Sequence, residues 1–141
     1  VPLTSRIVSK AGDAPINALE PAAAQQYFRR LLEAWHEGLR RPLPLAVKTA
    51  FAWIGKGGRP DTPLDSDAGR AARIAFDGDG FKSKGERAYS AYLARTWPDF
   101  DALWADGEFA RLADALLRPL YDAVGTPKGG KADAAAQEND A

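Results

Sequence analysis

Phe28-Arg29-Arg30-Leu31-Leu32-Glu33-Ala34-Trp35-His36-Glu37-Gly38-Leu39 is the stretch that decides the fold class. Phe28, Leu31, Leu32, Trp35 and Leu39 recur at i, i+3, i+4, i+7 and i+11, one apolar stripe of a helix. Gln25, Arg29, Arg30, Glu33 and Glu37 take the other faces. Pro21 stands where a first helical residue belongs, and Gly38 with Pro42 marks the end. A stripe of this kind predicts a core-facing helix with Trp35 buried.

Upstream, Thr4–Lys10 and Ala14–Leu19 read as two short strands around Ala11-Gly12-Asp13. Pro15 cannot donate to a ladder, so the second strand is an edge or a short extended run. A lone hairpin is marginal in water. With no third strand in the sequence to support it, the chain reads as a fragment of a longer protein.

Downstream, Pro42 and Pro44 hold Arg40-Arg41-Pro42-Leu43-Pro44-Leu45 extended. Helices are then expected over about 46–54 (Val47, Ala50, Phe51 and Ile54 on one side) and about 68–76, the latter capped by Asp65 or Ser66. A fourth helix carries Ala88, Tyr89, Tyr92 and Leu93 and ends near Trp97-Pro98. Asp99 begins a short piece with Phe100, Leu103 and Trp104. Phe109, Leu112, Ala113, Leu116 and Leu120 form a last helix, kinked by Pro119. Residues 125–141 hold no large apolar side chain, which predicts a disordered tail. The expected architecture is mainly α (α+β): a short N-terminal β-hairpin followed by about five helices over residues 1–124.

Composition narrows the chemistry. In 141 residues, 45% hydrophobic and 10% aromatic, there is enough apolar mass for one core. Cysteine is absent, which excludes disulfides, thiolate metal sites and thiol catalysis and fits a reducing compartment. His36 is the single histidine. No apolar run is long enough to span a bilayer and Val1–Arg6 is not a signal peptide, so no membrane partner and a cytoplasmic setting are expected. Net charge is zero but unevenly spread: residues 1–59 hold nine basic and four acidic side chains, and the rest ten and fifteen. One basic face, or docking on a charged neighbour, follows from that asymmetry.

Asp77-Gly78-Asp79-Gly80-Phe81-Lys82-Ser83-Lys84-Gly85-Glu86 has acids at three positions of a calcium loop. Ala75 stands at the first ligand position, however, and Lys82 at the apolar eighth, so the stretch reads as a connector and no metal ligand is assigned. No phosphate-cradling glycine pattern surrounds Lys56 or Lys82. A PD-(D/E)xK nuclease needs Asp or Glu two residues before a Lys to hold magnesium and activate water; no acidic residue here has a lysine at that spacing. His36, next to Glu37 near a helix end, has no apparent Ser or Cys partner and reads as a surface or capping residue. No catalytic residue is therefore assigned. Arg29, Arg30, Arg40, Arg41 and Lys48 lie within one short stretch and are the candidates for phosphate or partner contact, with Glu33 and Glu37 as competing helix partners. Trp97, beside Pro98 in a loop-like context, is the better candidate for an exposed aromatic contact, although the usual burial of tryptophan favours the core.

The run from Leu31 through Arg41-Pro42-Leu43-Pro44-Leu45 to Lys48-Thr49-Ala50-Phe51-Ala52-Trp53 resembles the C-terminal region of the gamma subunit of exodeoxyribonuclease V, the RecC family. Phe76-Asp77-Gly78, Gly85-Glu86, Tyr92-Leu93-Ala94-Arg95 and Arg118-Pro119-Leu120 follow in order, so the resemblance spans roughly Ile7 to Val124. It implies a non-catalytic piece of a helicase–nuclease that processes double-strand DNA ends and recognises Chi, taken from a PD-(D/E)xK-like domain that has lost its catalytic residues. The implied partners are the beta and delta subunits and double- and single-stranded DNA, with no cofactor in this stretch. Two rivals stand beside it: a free-standing helical DNA-binding protein, and a small enzyme built around His36.

Overall fold

The computed structural model describes residues 4–124, so the tail expectation for 125–141 lies outside the described residues. Strands β1 (Ser5–Ser9) and β2 (Gly12–Ile16) form an antiparallel hairpin in which Ser9 pairs with Gly12 and Arg6 with Pro15. The tight turn needs Gly12, whose φ of 117° suits a residue without a Cβ. Helices α1 (Pro21–Gly38), α2 (Val47–Gly55) and α3 (Asp67–Asp77) follow. Ser66 caps α3, its hydroxyl accepting the Gly69 N–H at 3.1 Å.

The expected fourth helix is split. Glu86–Tyr89 is a single 3-10 turn, and Ser90 then caps a separate α4 (Ala91–Thr96) by accepting the Leu93 N–H at 3.3 Å. Asp99 caps α5 (Phe100–Trp104) through a 2.8 Å bond from the Ala102 N–H. The last rod is α6 (Glu108–Leu112), a π-helical stretch (Ala113–Leu117) and α7 (Arg118–Ala123). The expected kink at Pro119 takes the form of this widened turn, because proline has no N–H to continue the regular ladder. The fold class is as expected: mainly helical with an N-terminal two-stranded hairpin.

The core lies among α2, α3, α5 and α6. Trp53, Phe76, Phe100, Leu103 and Phe109 are fully buried. Ala50, Ala68, Ala72, Ala110 and Ala113 let the helices approach closely, α2 and α3 most extensively. Phe100 is the hub: its ring meets Phe109 edge-on at 5.7 Å, with Phe76 and Trp104 at 6.4 and 6.1 Å and the Arg73 guanidinium 5.4 Å away. The Pro-Leu-Pro-Leu run is extended as predicted, with Pro44 buried and Leu43 under Gly38.

The hairpin and α1 sit outside this core, against the expectation for α1. No residue of α1 is buried. The helix meets the last rod through its other side, where the Tyr27 hydroxyl donates to the Leu116 carbonyl at 2.5 Å. Partial burial there raises the Tyr27 pKa. The hairpin is tied down by Ile16, bridged to Val124, and by the Asn17 N–H, which donates to the Ala123 carbonyl at 2.8 Å.

Candidate functional site

Trp35, expected in the core, is 65% exposed; Phe28 and Leu39 are 62% and 67% exposed, and Leu32 is about half exposed. These four lie at i, i+4, i+7 and i+11, so they form one continuous stripe on the outward face of α1. Helical spacing puts Arg29, His36 and Arg40 along one edge of that stripe, again at i, i+7 and i+11. Among the described residues, neither Arg29 nor Arg40 has a carboxylate within ion-pair distance. An apolar stripe with a cationic edge suits a partner of matching form, apolar in the middle and acidic at one margin.

Arg41 is committed elsewhere. Its guanidinium pairs with Glu37 at 2.7 Å and with both Glu108 carboxylate oxygens, at 2.5 and 3.2 Å, clamping the end of α1 to the start of α6. Donating to Glu108 and Glu37 raises the Arg41 pKa, and accepting from Arg41 lowers that of Glu37. Arg30 faces the other way, lining a cleft of about 440 Å³ with Asp114, Arg118 and Asp122. Lys48 is exposed at the start of α2. The five cations that are close in sequence are thus divided: Arg29 and Arg40 on the outer face, Arg30 in the cleft, Arg41 in an internal clamp, and Lys48 on another helix.

For Trp97, the better candidate for exposure, core placement is the reading that tryptophan's usual burial favours. The residue is only partly exposed and packs against the core, since its N–H closes α4 onto Leu93 at 2.8 Å and Pro98 turns the chain back toward α5. The exposed indole is that of Trp35, whose periodicity pointed the other way.

The acids of the 77–86 loop diverge. Glu86 reaches across to the start of α2, where Ala46 offers no cap, and accepts from the Thr49 N–H and hydroxyl at 2.8 Å each and from the Lys48 N–H at 3.2 Å. Asp77 accepts the Phe100 N–H at 3.1 Å and lies 3.4 Å from Arg87. Asp79 holds the loop together: one carboxylate oxygen accepts the N–H groups of Phe81, Lys82 and Ser83 at 2.8–2.9 Å. Those donors, Ser83 first, lower the Asp79 pKa by favouring the charged form. Ionised Asp79 therefore stabilises the folded loop at and above the ordinary aspartate range, and the gain is lost as pH falls through the depressed value. In an NMR pH titration the amides of Phe81, Lys82 and Ser83 should shift together, with a midpoint below that of an unperturbed aspartate. A midpoint at or above the ordinary value would contradict this.

Sequence reasoning passed over Phe81, which is 97% exposed. The available signal was a large apolar residue between Gly80 and Lys82 with no periodic partner on either side. Tyr89 and Tyr92, expected within one helix, are also exposed on the split 3-10 turn and α4.

Residues 6–58 match the family model described as the RecC C-terminal domain. The matched stretch contains the hairpin, α1, the Pro-Leu-Pro-Leu run and α2. No curated protein matches the chain. Among the described residues, no helix is long and apolar enough to cross a membrane.

Proposed function

Because residues 6–58 match the family model of the RecC C-terminal domain, we propose that the chain is a non-catalytic module of the RecC-like gamma subunit of exodeoxyribonuclease V, the RecBCD helicase–nuclease. Its work is subunit docking and DNA strand guidance in double-strand break repair by homologous recombination and Chi recognition. The module covers residues 1–124, acts in the cytoplasm and needs no cofactor of its own. Descent from a PD-(D/E)xK nuclease that lost its catalytic lysine belongs to the same reading, supported by the acid and lysine spacing.

The observation that carries the docking role is the uncovered stripe of α1. Leaving Phe28, Leu32, Trp35 and Leu39 half to two-thirds in water forgoes a corresponding part of the roughly 1.5–3 kcal/mol that full burial of a large apolar side chain supplies. A partner surface recovers that energy. Arg29 and Arg40 at the stripe's edge, with Lys48, are the candidates for acidic partner groups or DNA phosphates; Arg30 and Arg41 are reserves that must first leave their present carboxylate surroundings. Trp97, partly covered, is the weakest of the proposed contacts.

Trp35→Ser should leave the unfolding free energy within about 0.5 kcal/mol of the parent, since the side chain is mostly exposed and lies outside the core. The same change should weaken capture by purified beta and delta subunits about tenfold, because a buried tryptophan anchor dominates contact energy. Unchanged capture would remove α1 from the docking role.

A further inference from the structure

Phe81 is the most exposed of the large hydrophobic side chains, and it stands on a loop that is built rather than loose. Three backbone N–H groups converge on Asp79, the Asp79 N–H donates to the Ser83 carbonyl at 3.2 Å, and Gly78 bridges to Lys84 at the base. Gly78, at a φ of 91°, could not carry a Cβ, which would lie 2.4 Å from the Ser83 carbonyl oxygen. The loop is pinned again at Gly85, which lies against the Phe76 carbonyl. Lys82 and Lys84 follow Phe81 in the same loop, both exposed, and among the described residues neither has a carboxylate within ion-pair distance. All three acids of the 77–86 loop are turned to other work: Asp79 to the loop amides, Asp77 to Phe100 and Arg87, and Glu86 to the start of α2.

We propose that Phe81 is a stacking platform for an unpaired base of single-stranded nucleic acid, with Lys82 and Lys84 neutralising the adjoining phosphates. A fixed aromatic ring beside cations is the combination that binds single strands without sequence preference, because every base has a π face. One ring is too little apolar surface to anchor a lipid membrane, which takes a second anchoring signal beyond a single weak one. A protein pocket is the rival occupant: the other exposed large hydrophobic side chains nearby in sequence are Ile74, Tyr89 and Tyr92, of which the two tyrosines can themselves stack on bases. The proposal rests on the strand-guidance reading and extends it to residues outside the matched stretch 6–58.

The test titrates the full chain, at low salt, into a single-stranded oligonucleotide carrying 2-aminopurine, with the same sequence as a duplex alongside. Saturable quenching of the single strand is expected. Phe81→Ala should weaken binding about tenfold and abolish most of the quenching, and Phe81→Trp should retain both. The ring packs on nothing, so a circular dichroism spectrum unchanged by either substitution separates the effect from misfolding. The double variant Lys82→Gln and Lys84→Gln should flatten the salt dependence. If Phe81→Ala binds and quenches like the parent while Arg29→Gln with Arg40→Gln does not, the loop proposal fails and strand guidance survives on α1. No binding of any DNA by the parent overturns both. Binding of anionic phospholipid vesicles that depends on Phe81, without single-strand binding, overturns the proposal in favour of a membrane.

Discussion

Phe100→Ala is expected to lower the unfolding free energy by about 3–5 kcal/mol, read as a fall in the guanidinium midpoint with little change in slope. The ring is fully buried and joins three elements: Phe76 on α3, Trp104 on α5 and Phe109 on α6. Removing it leaves a cavity walled by aromatic rings, which cannot collapse as aliphatic chains do. Arg73 would also lose the ring face beneath its guanidinium while keeping its bonds to Asp101, at 2.6 and 2.9 Å. A loss below about 1 kcal/mol would mean that the core is not organised around this ring.

Gly69→Ala is expected to cost about 3 kcal/mol, the upper end for overpacking. Helix propensity alone argues the opposite sign, since alanine is favoured over glycine in a helix by about 1 kcal/mol. Local packing decides. Gly69 is buried in the first turn of α3, and a Cβ there would lie 1.9 Å from the Leu64 carbonyl oxygen and 2.7 Å from its carbon. Those are backbone atoms that cannot swing aside, so the approach of the 61–66 loop to α3 must open. A thermal melt at or above that of the parent would show that the loop yields without cost.

Much of this architecture was legible in the residues because local chemistry was strong. The Gly-Asp turn between two short extended runs, Pro21 at a helix start, Asp65 or Ser66 as the cap of α3, Asp99 at the start of a short helix, and the paired prolines at 42 and 44 each act within a few residues. The failures have a common cause: periodicity reports that a helix has two faces, not which one finds a neighbour. Trp35 was read inward because apolar stripes normally are. Nothing in the described residues reaches over α1, and its contacts run instead through Tyr27 and Arg41. Trp97 left both placements open to local reading, because a Trp-Pro step looks like loop until Asp99 restarts the helix and the indole packs on the core. The basic cluster dispersed because Glu108, far away in sequence, claims Arg41. Pairings at that separation leave no trace in local spacing. Phe81 was overlooked since glycines and lysines around it suggested only a connector, whereas Asp79 makes that connector a fixed shape.

Trp53 closes the matched stretch yet is enclosed by what lies beyond it: Phe109 meets its ring edge-on at 6.0 Å, 69° between planes. The matched segment and the packed core therefore have different limits. A piece ending at residue 58 would keep the outward helix but expose the Trp53 indole and remove Leu116 and Glu108, the partners of Tyr27 and Arg41, so cutting the chain at the edge of the match would cut through its interior.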